Sequence, residues 1–176
     1  HQRISGLTAR VPEKQRDTWL QRGDVAAAYG LVLGEAGAYA EAIEWLEKAM
    51  KADKGDIPVR AMEQYVNFQV RSAGELWMKL QANVKSVRIS QERHALIERI
   101  EKAVKALDFL CERSPTVERL NLLGSACKRL AMMNDDDSQR HEALVNMANY
   151  YRRAFEQGEN PKSCPFTNWA LAWALI

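Results

Sequence analysis

The chain has 176 residues, 47% of them hydrophobic, enough to build a substantial core in one domain or in one segment of a longer array. Its 25 basic and 23 acidic residues leave a formal net charge of +2, which gives no case for non-specific nucleic-acid binding. No apolar run approaches the roughly 20 residues of a membrane span, the start HQRISGLTARVPEK lacks the apolar core of a signal peptide, and Cys111, Cys127 and Cys164 are too few and too scattered for a disulfide framework, so a reducing cytoplasm is the expected setting.

Residues 12–22 predict a short flanking helix, with Pro12 at a first position where a missing N–H costs little. Trp19 and Leu20 would pack it. Gly23-Asp24 breaks that helix, and Asp24 is the expected N-cap of the next one, which runs to Gly34. A tight turn at Gly37 leads into a helix over 39–52, whose Ala42, Ile43, Leu46 and Ala49 form one helical stripe. Gly30, Ala42 and Ala49 are small where the two helices must come close, and Tyr29, Leu33 and Leu46 fill the space between them. Glu44 and Lys48, at i and i+4, predict a solvated pair.

Pro58 opens a long helical stretch, VRAMEQYVNFQVRSAGELWMKLQ, with Met62, Tyr65, Val66, Ala73, Leu76, Trp77 and Leu80 as its apolar side. Gly74 within it is about 1 kcal/mol poorer than Ala and marks a kink or a close approach. After a poorly patterned joint over 82–90, Ser90 is the expected N-cap of a helix over 91–113. Leu96, Ile97, Ile100, Ala103, Val104, Leu107 and Leu110 point inward from it.

Ser114-Pro115 reads as N-cap and first position of a helix over 116–132. An acidic turn, NDDDS, reads as long, and HEALVNMANYYRRAF supplies the partner helix, with Met147 predicting a looser contact. GENP closes that pair, and PFTNWALAWALI begins a further helix that stops inside an apolar run without a cap. The chain therefore reads as a piece of a longer protein, and self-association through 165–176 is expected.

The stretch 26–53, AAAYGLVLGEAGAYAEAIEWLEKAMKAD, resembles a tetratricopeptide repeat, a helix–turn–helix unit of about 34 residues. Tyr29-Gly30 stand for its Leu-Gly pair and Leu33 for its first-helix aromatic. Ala42, Leu46 and Ala49 stand for the Ala–aromatic–Ala series. Ala26 departs from the first-helix Trp, and Lys54 from the closing Pro. Leu123-Gly124 repeats the pair further on, with Met147, Tyr151 and Ala154 in the second series. The resemblance implies an all-α fold, a right-handed α-solenoid of about three repeats (about 23–54, 58–113 and 115–160) in one domain, with flanking helices 12–22 and 165–176. RAMEQYVNFQVR, ERLNLLGSACKRLA and YYRRAF…NPKSCPFTNWAL are also similar to bacterial repeat regions attached to caspase-like CHAT peptidase domains. That likeness implies a non-catalytic accessory region that binds partners or regulates a protease domain in the same chain.

Chemistry of other kinds finds little support. A Cys–His nucleophile would draw on His1, His94 or His141 and on one of the three thiols, but Cys127 lies on an apolar stripe where cysteine behaves as a small hydrophobe. Cys164, near Lys162 and a helix start, is the remaining thiol of interest. The enzyme alternative is a chain that completes or gates a cysteine-based active site through Cys164 or His141. No Cys or His has a companion at metal-ligand spacing, and the nine glycines form no phosphate loop, so no metal or cofactor is expected. The Asp135–Asp137 run lacks the alternation and Gly of a calcium loop and reads as a solvated turn.

In the tetratricopeptide family the first helices line a concave groove that holds peptides. Carried over by position, the groove residues are Asn121, Ser125, Lys128 and Arg129 around Gly124. The middle helix, with Asn67 at the Gly position, adds Gln64, Phe68, Arg71 and Ser72. The first repeat adds Asp24, Ala27, Ala28, Leu31 and Glu35. The implied partner is a protein or peptide, acidic or presenting a C-terminal carboxylate that an Arg fork could grip. The alternative is that Arg71, Lys128 and Arg129 are solvated or pair with Glu75 and Glu118. Trp45, Trp77, Tyr150 and Tyr151 sit beside aliphatics on helical stripes, which favours core packing over base stacking and leaves an RNA-binding repeat as the third reading.

Overall fold

The computed structural model describes residues 18, 21–82, 89–158 and 164–176, with the backbone alone of Ile89 and Cys164. Among these residues the regular elements are seven helices: α1 Gly23–Glu35, α2 Tyr39–Met50, α3 Val59–Ala82, α4 Ile89–Arg113, α5 Val117–Met133, α6 Asp137–Gln157 and α7 Cys164–Leu175. This is the all-α, tetratricopeptide-like helical-repeat fold that the resemblance implies. No described helix is long and apolar enough to cross a membrane. Most of the helix expected over 12–22, including Trp19 and Leu20, and most of the joint 82–90 lie outside the described residues. The chain divides into two compact units, residues 1–72 and 73–176, and the boundary falls within α3, inside the expected 58–113 repeat.

In the first unit α1 packs on α2. A Cβ on Gly30 would stand 2.8 Å from Leu46 Cγ and 3.1 Å from the Ala42 carbonyl oxygen, so only glycine permits this approach. Leu33, Ala42, Ile43, Leu46 and Ala49 are buried around it, and Tyr29 meets Trp45 edge-on at 4.7 Å. The linker is three residues, 36–38. Gly37 takes φ +83°, which lets Gly37 N–H donate to Gly34 O and Ala38 N–H to Leu33 O, the paired bonds of a left-handed helix stop. Asp24 is not the N-cap. The helix starts at Gly23, whose N–H donates to Lys54 O, and Arg22 Nε and Nη2 grip the Asp24 carboxylate at 3.0 and 2.7 Å. That pairing holds Asp24 below the usual carboxylate range and raises Arg22. Lys48 places its ammonium 4.4 Å above the Trp45 ring.

Helix α3 departs from its apolar stripe. Met62 and Leu76 are exposed, whereas Ala61, Phe68 and Val70 are buried along with the polar Glu63, Asn67 and Ser72. Two sides of the helix are covered, so residues outside the single predicted stripe become interior. Ala61 and Phe68 belong to the core built on α1 and α2, and a Cβ on Gly34 would overlap the Phe68 ring.

In the second unit α4 packs on α5, α5 on α6 and α6 on α7. Leu96, Ile100, Ala103, Leu107 and Cys111 form the buried stripe of α4, flanked by half-buried Ile97, Val104 and Leu110. Two expected caps shift. Ser90 lies inside the first turn of α4, and α5 begins after Thr116, whose Oγ1 accepts from Arg119 N–H at 3.1 Å. The acidic turn is not long. Asp136 Oδ1 accepts from Gln139 N–H at 2.8 Å and caps α6 one residue before Asp137, which leaves a three-residue linker, 134–136. Asp137 sits in the first turn, where the helix dipole favours a carboxylate, and pairs with Arg140. Met147 is fully buried with Ala148, Tyr151 and Ala154, so the expected loosening is not seen. A Cβ on Gly124 would stand 2.8 Å from Tyr151 Cε2.

Candidate partner-binding surfaces

On α1, Asp24, Ala28, Leu31 and Glu35 recur at i, i+4, i+7 and i+11 and keep solvent access, while Ala27 is fully buried and leaves the candidate set. Glu35 Oε1 lies 3.6 Å from Arg60 Nη2, an exposed pair of small energetic weight. On α3 the candidates part. Arg71 is exposed, donates from Nη1 to Tyr39 Oη at 2.9 Å, and holds its guanidinium 5.7 Å from that ring, so Tyr39 rather than Glu75 orients it. Gln64 is half-buried and accepts from Asn67 Nδ2 at 2.8 Å. Asn67 itself is buried, as is Ser72. Phe68, expected in the groove, is 4% exposed and packs beside Tyr39, with ring centroids 5.7 Å apart. It is a core residue, because the covered side of α3 includes the position that the family register assigns to the groove.

The second surface is on α5. Asn121, Ser125 and Lys128 follow one another at i, i+4 and i+7, all half-buried, and Met132, 57% exposed, continues the stripe. Sequence periodicity could have added Met132. Arg129 is committed to packing: Nη1 donates to Ser125 O at 3.0 Å and to Ser125 Oγ at 2.6 Å. Its stem occupies the space beside Gly74, where a Cβ would come 3.0 Å from Nε, so Gly74 marks a close approach. Asn121 Oδ1 is buried and, among the described residues, has no hydrogen-bond donor. An unmet buried acceptor of this kind costs roughly 1–3 kcal/mol.

One functional-looking residue that the sequence does not reveal is Arg119. It is 9% exposed and donates from Nη1 to the carbonyls of Leu110 and Ser114, closing the carboxyl end of α4 from the following helix. Between α6 and α4, Tyr150 Oη donates to Asp108 Oδ1 at 3.0 Å, and burial raises the Tyr150 phenol above its ordinary range. Burial likewise raises the Cys111 thiol and pushes Cys127 up to about 12. Both are therefore protonated and inert at neutral pH, the reverse of what a nucleophile needs. The Cys164 side chain lies outside the described residues. His94 is exposed beside Glu98, at 3.5 Å, and His141 is exposed on α6. The acidic run divides its work three ways, with Asp135 paired to Arg93 across a polar cleft of about 450 Å³, Asp136 capping α6 and Asp137 meeting Arg140. Among the described residues no group of three or more His, Cys, Asp or Glu could hold a metal ion. Trp77 and Tyr151 are buried and cannot stack a base.

The α1–α2 and α5–α6 pairs, each joined by three residues and seated on a glycine, have the marks of tetratricopeptide repeats. A family model described as Tetratricopeptide Repeats-Sensor matches residues 38–173, most of the chain, from the start of α2 into α7. Searches of curated proteins and of solved structures each found no match. Tetratricopeptide repeats are in general non-catalytic modules that bind proteins or peptides, and the surfaces above are consistent with an interaction scaffold. With its model spanning α2 to α7, the chain belongs to the Tetratricopeptide Repeats-Sensor family.

Proposed function

We propose that this chain is a non-catalytic recognition module that binds an extended protein segment, acidic or ending in a free carboxylate, along the α5 stripe. The observation that carries this reading is Asn121. Its side chain is half-buried on the stripe, where a peptide main chain supplies hydrogen-bonding groups at the spacing of successive residues. Ser125 and Lys128 follow on the same stripe, and an ammonium beside a carboxylate gives a charge-assisted bond of roughly 1.5–3 kcal/mol. In the first unit Arg71, oriented by Tyr39, offers a guanidinium of its own. The word sensor in the family's description supports a regulatory role. In a longer protein of the kind that the CHAT-linked resemblance implies, the occupied module controls a protease domain on the same chain. Raised thiol pKa values at Cys111 and Cys127 weigh against either of those thiols as a nucleophile; the alternative through Cys164 or His141 does not involve them.

A panel of acidic peptides with free or amidated C-termini, read by fluorescence anisotropy, tests the reading. Binding that falls by about tenfold or more in Lys128→Ala and in Asn121→Leu is the expected result. Equal binding by wild type and both variants, or no binding by any peptide in the panel, would overturn it.

A further inference from the structure

The α5 stripe does not end at Lys128. Met132 continues it at i+11 from Asn121, so Asn121, Ser125, Lys128 and Met132 share one strip of the helix surface. The neighbouring Met133 is 1% exposed and belongs to the interior, whereas Met132 is 57% exposed. None of the ion pairs among the described residues involves Lys128. The strip therefore sets an ammonium beside an unbranched thioether, a side chain that adapts to apolar partners of different shape.

The rise of the helix sets the spacing that a ligand on this strip has to match. At about 1.5 Å per residue, Lys128 and Met132 stand about 6 Å apart along α5. An extended chain rises about 3.3 Å per residue and turns successive side chains to opposite sides, so side chains two residues apart share a side at about 6.6 Å. Side chains one or three residues apart point away from each other. Charge fixes which contact goes where. Helix α5 has no basic residue in its last turn, and the negative end of its dipole lies at Met132. A carboxylate there would meet that partial charge, whereas an apolar side chain would not be repelled. The acid therefore belongs on Lys128 and the apolar side chain on Met132.

We infer that the α5 stripe selects a protein segment in which an acidic and a large apolar side chain lie two residues apart, with Met132 as the residue that reads the spacing. This rests on the peptide-binding reading proposed above and names the class of segment it takes. Fluorescence anisotropy tests it with labelled peptides that carry one Glu and one Leu, separated by one, two or three residues. Each ends in an amide, so that Glu is the sole acid, and each is made in both orders, because a chain laid in the reverse direction presents the same spacing. A peptide with the two-residue separation is expected to bind wild type about fivefold more tightly than either other spacing. Met132→Ser, at an exposed position and checked for helicity by circular dichroism, is expected to bind every spacing equally, and Lys128→Ala to lose about tenfold with each peptide. Equal binding of all spacings by wild type, or a preference that survives in Met132→Ser, would overturn the inference and leave a Lys128-dependent site standing. The same holds if only peptides with a free C-terminal carboxylate bind. Binding that does not depend on Lys128, or none by any peptide of either kind, would overturn the site and the inference together.

Discussion

The α1–α2 pair and the α5–α6 pair meet the same geometric demand with different atoms. Each joins two helices across three residues, 36–38 and 134–136, and each seats the contact on a glycine. At Gly30 the neighbours are Leu46 Cγ and the main-chain oxygen of Ala42; at Gly124 they are the ring carbons of Tyr151. In the first linker Gly37 turns the chain through a left-handed φ and satisfies the carbonyls at the end of α1. In the second, Asp136 satisfies an N–H at the start of α6. A three-residue connection can be stabilised from either side of the break. The architecture thus constrains spacing and free volume, and leaves the identity of the residues open.

Filling the two glycine seats should have the largest effect. Gly30→Val and Gly124→Val each force a branched side chain into a closed space, and each is expected to lower unfolding stability by about 3 kcal/mol in urea titrations. Gly30→Ala is expected to cost more than Gly124→Ala, because the Ala42 main-chain oxygen cannot rotate away as a ring can. The reverse order would break the comparison.

Exchanging the linker chemistry should cost less. Gly37→Ala places a Cβ at φ +83° and is expected to cost about 1 kcal/mol, restored in part by Asn, which tolerates that region. Asp136→Ala removes the cap of α6 and is also expected to cost about 1 kcal/mol, restored by Ser or Asn. Thermal unfolding of these single variants reads both, and rescue of the Gly37 site by Ser but not by Asn would contradict the assignment.

The last effect is absent at neutral pH and appears only in alkali, as the response of a thiol that has no counterpart on α1. Cys127 has a folded value of about 12, above the roughly 8.5 of an unfolded chain. A group raised on folding contributes stability that is complete below the unfolded value and lost as pH climbs toward the folded one. Wild type should therefore lose stability between about pH 8.5 and the folded value relative to Cys127→Ala, and its thiol should react with a disulfide reagent at neutral pH only at the rate of opening. Rapid labelling of the native protein at Cys127 would contradict this.

Much of the helical plan is legible in the residues. Helix α2, with Ala42, Ile43, Leu46 and Ala49 inward, follows from a single apolar stripe, and so does α4 from Leu96 to Leu107. The departures share a cause. Phe68, Asn67 and Ser72 read as groove residues because a family register assigns one face of α3 to solvent, but α3 is covered on two sides. Ser90, Ser114 and Asp24 are good caps by type, yet the helix start is set elsewhere, by the Gly23–Lys54 bond for α1 and by Thr116 for α5. On the candidate surface, spacing alone finds Lys128, Ser125 and Asn121. It does not find the commitment of Arg129 to Ser125 or the unmet oxygen of Asn121.

The sequence by itself determined which segments are helical, which small residues mark close helix contacts, and that the last helix has no charge, because these depend on local periodicity and residue type. Only the tertiary structure decided which side of α3 is interior, that Arg119 closes the preceding helix, and which cations keep solvent access. Those outcomes depend on neighbours far along the chain, since a hydrogen bond or a buried face belongs to the pair of elements that make it and to neither one alone.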